Sequence, residues 1–346
     1  MPAGDPEVAV VVGAFGRRTY LEGAVRSVLA QTLPRTAFEV VVVKDFADPA
    51  LDRRLGDNGV GTLLDTEPRI GRWLLHAVRA TRAPWVAFLD DDDEFEPERL
   101  ARVVEVAHAH PEVGFYRNRV RVIDADGGPV DPTRWRRLER DSAFDRTGPV
   151  EIPPNGKADL APFVFRSTHV GFNSSTVVVR REVLDGAFAP AFEATQLPDL
   201  ALVVAAAVSP YGLYLDDRRL TRFRHHAENV THEIGWLRHA AEAHADLAAV
   251  ARRFGRDDFA GFLQATADRY ERVYRSSTIV AEVRRSAPRV RVAGLATEYL
   301  RFLRDHPAQR GMRPDSWGAA AYASLYVLWP ALGRRMAHAR APPRWP

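Results

Sequence analysis

The chain of 346 residues contains no cysteine. That excludes disulfides, thiolate metal sites and a cysteine nucleophile, and it fits a reducing compartment such as the cytoplasm. Lysine is nearly absent as well, standing only at 44 and 157 among 48 basic residues. The positive charge is therefore almost all arginine, whose planar fork suits phosphate and carboxylate partners. A net charge of +3 is too small to imply nucleic acid, and no nucleic-acid partner is expected. Long apolar runs are missing too. The most lipid-like stretch, Gly318 to Gly333, contains Pro330 and falls short of the ~20 residues that span a bilayer. The opening MPAGDPEVAVVVGAF has no basic residue ahead of its apolar run and reads as a first strand, not a signal peptide. Gly13-Ala-Phe-Gly16 does not complete a Gly-X-Gly-X-X-Gly dinucleotide fingerprint, and neither a phosphate loop ending in Lys-Ser/Thr nor a Gly-X-Ser-X-Gly elbow occurs.

What is present suits a large globular core: 46% of residues are hydrophobic and 27% charged, without internal repeats. The first third alternates strand and helix as a parallel sheet with crossover helices does. Strands are predicted at Val8 to Val12, Phe38 to Val43, Gly61 to Leu64 and Trp85 to Leu89, and helices at Tyr20 to Gln31 and Arg72 to Thr81. Ligands in such sheets sit at the carboxyl ends of the strands, so Gly13 to Phe15, Asp45 and Asp90 to Asp93 are expected in one crevice. Further strands are expected at Gly114 to Ile123, Ser174 to Val179, Tyr211 to Leu215 and Leu220 to Arg224, with a helix at Leu200 to Val208. Pro129 to Pro162 has little periodicity, and a loop that long in a compact domain is commonly functional. From Ile234 the pattern is helical, broken at Pro288, Pro307 and Pro314.

The densest chemistry lies between Phe88 and Glu98, where seven of eleven residues are acidic. Carboxylates gathered at a strand end repel one another unless a cation or a basic cluster neutralises them. Hard oxygens at this density suit Mg²⁺ or Mn²⁺. Glu96 and Glu98 have a simpler role, favouring the N-terminus of a helix that Pro97 opens.

Three ordered segments resemble family 2 glycosyltransferases: Val8 to Thr32 with its closing Ser-Val-Leu-Ala-Gln-Thr, Phe38 to Asp45, and Trp85-Val-Ala-Phe-Leu-Asp-Asp-Asp-Asp93. The resemblance covers about residues 7 to 232. It implies an α/β GT-A fold, a Rossmann-like mixed sheet over residues 1–232, with a donor half of about 1–128 and an acceptor half of about 129–232. Residues 233–346 form a helical C-terminal extension to it. The implied reaction is metal-dependent, inverting transfer of a sugar from a nucleoside diphosphate donor, UDP-linked, to an acceptor hydroxyl of a glycan or lipid-linked glycoconjugate. By the same resemblance Phe15, with Gly13 and Ala14, meets the donor base, and Asp45 accepts a hydrogen bond from it. Asp91 touches the ribose, and Asp90 and Asp92 hold Mn²⁺ or Mg²⁺. The family has two acids at the end of its second strand, where this chain has Lys44-Asp45. The family's Arg-Asn pair is replaced around Trp73, Leu74 and Leu75, leaving Arg69 or Arg72 to face the diphosphate.

An inverting transfer also needs a carboxylate to take the proton of the attacking hydroxyl. Asp199 matches that position, with Pro198 in place of the usual Glu; capping of the helix at Leu200 is an alternative or added role. His226 falls on the family histidine that completes the metal site, whereas His225 and His232 read as structural or exposed. Gly171 to Thr176 resembles the acceptor side, although its Ser and Thr residues also suit a turn. From Ser316 to Pro346 no acid occurs, while Arg334, Arg335, Arg340 and Arg344 follow Trp317, Tyr322, Tyr326 and Trp329. Such a helix can rest on the anionic inner face of a membrane or pack onto the catalytic domain. Two other functions share parts of the pattern: a sugar nucleotidyltransferase, and a degenerate nucleotide-sugar-binding scaffold.

Overall fold

A computed structural model describes residues 5–130, 148–154, 173–226, 234–306 and 314–339. Most of the aperiodic stretch expected on the acceptor side lies outside the described residues, as do Gly171, Phe172, His232, Arg340 and Arg344.

The first elements follow from buried β-branched runs set between amphipathic helices. They are β1 (Val8–Ala14), α1 (Leu21–Leu29), β2 (Phe38–Lys44), α2 (Pro49–Asp57), β3 (Gly61–Leu64), α3 (Ile70–Arg79) and β4 (Trp85–Asp90). All seven residues of β1 are buried, as in a strand covered on both faces. Helix α2 was not foreseen, since only Leu51 and Leu55 are buried on it. Its signal is at its start: Asp48 accepts from the Leu51 amide at 3.0 Å, and Pro49 opens the first turn.

The second group comprises β5 (Glu94–Phe95), α4 (Arg99–Ala109), β6 (Val113–Ile123), β7 (Val150–Ile152), β8 (Val177–Arg180), α5 (Ala189–Ala194), α6 (Pro198–Val208) and β9 (Gly212–Arg224). The nine strands form one mixed sheet in the order β3-β2-β1-β4-β8-β6-β9-β5, with β7 also paired to β9. Strands β1 to β4 are mutually parallel where they pair, and β8 enters antiparallel between β4 and β6. Two expectations are corrected here. Ser174 to Thr176 forms a 3₁₀ turn ahead of β8. The two late strands are one strand of 13 residues. It runs through the polar Asp216 because that carboxylate is buried, accepting from Arg102 Nε at 2.7 Å and from the Tyr116 hydroxyl at 3.1 Å. Helix α4 likewise begins at Arg99, two residues beyond Pro97. The Glu96 carbonyl accepts from the Arg99 amide at 3.1 Å at the start of that helix, while its side chain takes a two-point contact from Arg222 at 3.0 and 2.9 Å.

The chain divides into two compact units, Met1–Ala227 with Val250–Phe259, and Glu228–Ala249 with Ala260–Pro346. The sheet belongs to the first, an α/β unit with the mixed, curled-sheet topology implied by the sequence. The remaining helices are α7 (Ile234–Arg253), α8 (Asp257–Arg284), α9 (Arg289–Asp305), α10 (Pro314–Leu328) and α11 (Pro330–Ala339). In the second unit Ile279, Val283, Tyr299, Leu303, Ala319, Ala323 and Tyr326 form the core. A Cβ at Gly333 would stand 2.5 Å from the Tyr326 backbone, so glycine permits the close approach of α10 and α11. No helix among the described residues is long and apolar enough to cross a membrane.

Candidate active site

Backbone hydrogen bonds knit the carboxyl ends of β1, β2 and β4 together. Asp91 N donates to Gly13 O at 3.0 Å and Asp45 N to Ala14 O at 3.3 Å. The Asp45 carboxylate accepts from Gly16 N at 2.9 Å, which fixes the loop after β1. Gly13, Ala14, Asp45 and the aspartates are thereby brought to one edge of the sheet, as expected. Phe15 is 48% exposed at this edge and lies parallel to the Trp73 ring at 6.4 Å. A Cβ at residue 13 would stand 2.6 Å from that indole, so Gly13 and Trp73 fit only as a pair. Trp73, Leu74 and Leu75 are all buried and floor the site with apolar surface. The departure at Lys44 also has a local reason. Lys44 is buried with its ammonium turned to Phe46 O at 2.7 Å and to Asp52 at 3.1 Å.

The acid loop is held from three sides. Asp90 accepts from the Ser174 hydroxyl at 2.8 Å, and its amide donates to Ser175 Oγ at 3.0 Å. Asp93 accepts from Asn173 Nδ2 at 2.8 Å and from Arg224 N at 2.9 Å. Arg224 further donates to Asp92 O at 2.9 Å and to Glu94 at 2.6 Å. Asn173 to Ser175 therefore grip the acid loop, a role that their polar, turn-like sequence did not reveal. Arg17 is the most informative residue that the sequence reading passed over. Its Nη2 reaches Asp91 Oδ1 at 2.8 Å and Asp92 Oδ2 at 2.7 Å, and its Nη1 lies 3.2 Å from His226 Nε2. His226 Nε2 is also 2.9 Å from Asp92 Oδ2. The signal for Arg17 was its place two residues beyond Phe15, within a stretch set aside as a poor glycine-rich loop.

Crowding and desolvation raise the acids' proton affinity. Burial, followed by the charge of Asp92, pushes Asp90 up, and burial pushes Asp91 up to about 7 against the pull of Arg17. Asp93 rises for the same reasons, burial first. Asp90, Asp92 and Asp93 each offer an oxygen within 4.8 Å of the others. Asp91 Oδ2 is buried without a hydrogen-bond partner among the described residues. A hard, all-oxygen donor set with an unsatisfied buried oxygen fits a divalent cation.

Asp199 approaches from α6. The helix begins at Pro198 with Leu197 as its cap, so Asp199 sits inside the first turn and accepts from the Leu200 amide at 2.8 Å. It is not the helix cap. Burial raises its carboxyl to about 7; Asp90 raises it further, and the Leu200 amide and buried Arg117 on β6 lower it. The segment before α6 is seated on α3: Gly71 N donates to Thr195 O at 3.1 Å, and a Cβ at Gly71 would overlap Phe192 O. Arg72 lies elsewhere. With Arg69 it pairs to Glu67, at 2.9 Å each, in a cleft of about 600 Å³ lined also by Asp65, Pro68, His76 and Arg79. None of the four clustered aspartates lines that cleft.

A parallel half-sheet joined to a half-sheet of mixed direction, with acids at its carboxyl ends, is the arrangement of a GT-A fold. Residues 9–157 match the model of glycosyl transferase family 2. The succinoglycan biosynthesis protein ExoO of Rhizobium meliloti is 27% identical over 281 residues, 80% of this chain and 77% of that protein. An uncharacterized glycosyltransferase of a Nostoc species is 28% identical over 145 residues, which span 40% of this chain and 44% of that relative. Among solved structures, S. aureus TarS 1-349 superposes with a TM-score of 0.56 at 16% identity, covering 92% of this chain and 90% of that one. The mannosyltransferase PcManGT from Pyrobaculum calidifontis, solved with GDP-Man and Mn²⁺, gives 0.50 at 17% identity, over 95% and 88%. The protein is a glycosyltransferase.

Proposed function

We propose that the enzyme transfers a sugar from a nucleoside diphosphate donor, UDP-linked, to an acceptor hydroxyl with inversion, and that it uses Mn²⁺ or Mg²⁺. The observation that carries this reading is the placement of Asp199. Its carboxyl is raised to about 7 and faces, electrostatically, the Asp90 end of the acid loop. A base near neutral pKa is matched to proton abstraction at physiological pH. Phe15 and Asp45 receive the nucleobase, Asp91 the ribose, and Asp90 and Asp92 with His226 the cation. A divalent cation held there supplies the positive charge that a departing diphosphate requires. Asp199 orients the acceptor hydroxyl and takes its proton as that oxygen attacks the anomeric carbon. The bond from that carbon to the diphosphate oxygen breaks on the opposite face, and the diphosphate leaves with the electron pair. Arg72, engaged with Glu67, receives the diphosphate only if that pair opens.

The test is metal-dependent hydrolysis or transfer across a panel of UDP-, GDP- and dTDP-sugars, with Asp92→Asn and Asp199→Asn alongside. Turnover with one donor that requires added Mn²⁺ or Mg²⁺ and collapses in both variants is expected. Metal-independent turnover would sink the mechanism.

The contact with an anionic membrane face is part of the same proposal, at the site of a lipid-linked acceptor. It is supported by Leu328, Trp329, Leu332 and Met336, which are 70%, 67%, 44% and 40% exposed beside exposed Arg335. The absence of acid from 316 to 346 gives this surface one sign of charge. Co-sedimentation with anionic vesicles, lost for neutral vesicles and for Leu328→Ser/Trp329→Ser, is the expected result.

A further inference from the structure

The three contacts of Arg17 are made to lone pairs. Asp91 Oδ1 and Asp92 Oδ2 accept from Nη2 at 2.8 and 2.7 Å, and Nη1 lies 3.2 Å from His226 Nε2. A guanidinium only donates and a carboxylate only accepts, so Nε2 bonds Arg17 when it is bare and Asp92 Oδ2, 2.9 Å away, when it is protonated; the bare form is the one that Arg17 and a cation share. A cation would take the same kind of atoms: two carboxylate oxygens and an unprotonated imidazole nitrogen. Asp91 and Asp92 are 2% and 7% exposed, and His226 is 7% exposed, so no bulk solvent stands ready to screen them. Two like charges about 4 Å apart in such surroundings repel by about 4 kcal/mol at an effective dielectric constant near 20. A positive group among them relieves that repulsion when the metal is absent. The backbone can let Arg17 go: it follows Gly16, whose φ of +70° is a conformation that favours glycine, in the loop between β1 and α1. The Arg17 side chain is 20% exposed, half-way out of the cluster that it neutralises.

We infer that Arg17 is a built-in counter-ion of the metal site: its guanidinium and the divalent cation occupy the Asp92 and His226 donors in turn, and loading the metal displaces Arg17. This rests on the metal-dependent reading of the site. It assigns Arg17 a positioning role: in the metal-free enzyme it keeps the acid loop folded in the geometry that the cation needs, and it weakens metal binding by competing for the same atoms. Donor and metal then arrive at a loop that is already shaped.

The experiment measures Mn²⁺ binding to the full chain without nucleotide, by free-Mn²⁺ electron paramagnetic resonance, for wild type, Arg17→Gln, Arg17→Lys and Asp92→Asn. Thermal melting is followed with and without Mn²⁺. Arg17→Gln is expected to bind Mn²⁺ about tenfold more tightly than wild type, a ratio that corresponds to about 1.4 kcal/mol. It is also expected to melt lower without metal and to gain more from Mn²⁺ than wild type does. Arg17→Lys, which keeps the charge but not the fork, should fall between the two, and Asp92→Asn should lose binding. Unchanged or weaker Mn²⁺ binding in Arg17→Gln and Arg17→Lys, with Asp92-dependent binding intact in wild type, overturns the exchange while leaving the transferase reading standing. Wild type that binds no Mn²⁺, or binds it independently of Asp92, overturns both the exchange and the metal part of that reading.

Discussion

The two halves of the sheet are built on opposite principles. From β1 to β4 the interior is almost pure hydrocarbon: Val8, Val10, Val11, Val12, Val42, Val86, Phe88 and Leu89 are all at or near zero exposure. From β6 to β9 the interior is wired with polar groups. Arg99, Arg117, Asn118, Thr176, Asp216 and Thr221 are fully buried, and they bond to one another: Arg99 Nε to Asn118 Oδ1 at 2.9 Å, Asn118 Nδ2 to Thr221 Oγ1 at 2.9 Å, Arg117 Nε to Thr176 Oγ1 at 3.2 Å. Hydrophobic burial is non-directional, whereas a buried polar network fixes angles as well as distances. The apolar half is thus a stable platform for the acid loop at its carboxyl edge. The wired half determines where Asp199, Asn173 and Arg224 stand relative to the acid loop.

The sharpest way to break that contrast is to cut each half once. Asp216→Ala strands the buried Tyr116 hydroxyl and takes from the half-buried Arg102 one of its partners, Glu105 and Tyr214 remaining, and should cost about 3 kcal/mol in urea unfolding. Val10→Ala, in the hydrocarbon half, should cost about 2 kcal/mol. Equal costs would dissolve the distinction.

Asp199→Asn probes the strain that the wired half stores. The folded-state value of Asp199 is about 7, above the 3.8 of an unperturbed carboxyl. Its contribution to stability is therefore fully present below pH ~3.8 and lost as pH rises through ~7. Removing the ionisable group should abolish transfer yet raise stability at pH 8 by roughly 2–4 kcal/mol relative to wild type, with no gain at pH 4. In the metal-free wild type, Asp91 adds a loss of the same sign over the same window.

Gly13→Ala tests the seam between platform and site. The new methyl meets the Trp73 indole, so we expect a loss of about 1–3 kcal/mol together with weaker nucleotide binding, read by calorimetry with UDP. At the small end stands Glu22→Gln. Its partner Arg54 is 56% exposed and Glu22 55%, and the change in melting should correspond to less than ~0.5 kcal/mol.

The same contrast explains what could be read in advance. Continuous valine runs and a strand running into Asp90 are one-dimensional signals, and they located β1, β2, β4 and the acid loop within a residue or two. Asp216 in the middle of β9 and Asn118 on β6 look like surface residues until their partners, 102 or 221, are known. Arg17 escaped for the same reason: its three partners come from β4's end and from residue 226. Helix α2 could have been found from Asp48-Pro49 alone, had capping been weighed above apolar spacing.

The fourth aspartate acts as a gauge block between the halves. One oxygen of Asp93 takes the amide of Arg224 at the end of β9, and the other takes Asn173 ahead of β8, while its own chain continues from β4. The spacing of those three segments is therefore set by the length of a single carboxylate. Replacing it by glutamate would lengthen that spacer by one methylene and shift β9 and the turn before β8 relative to the end of β4.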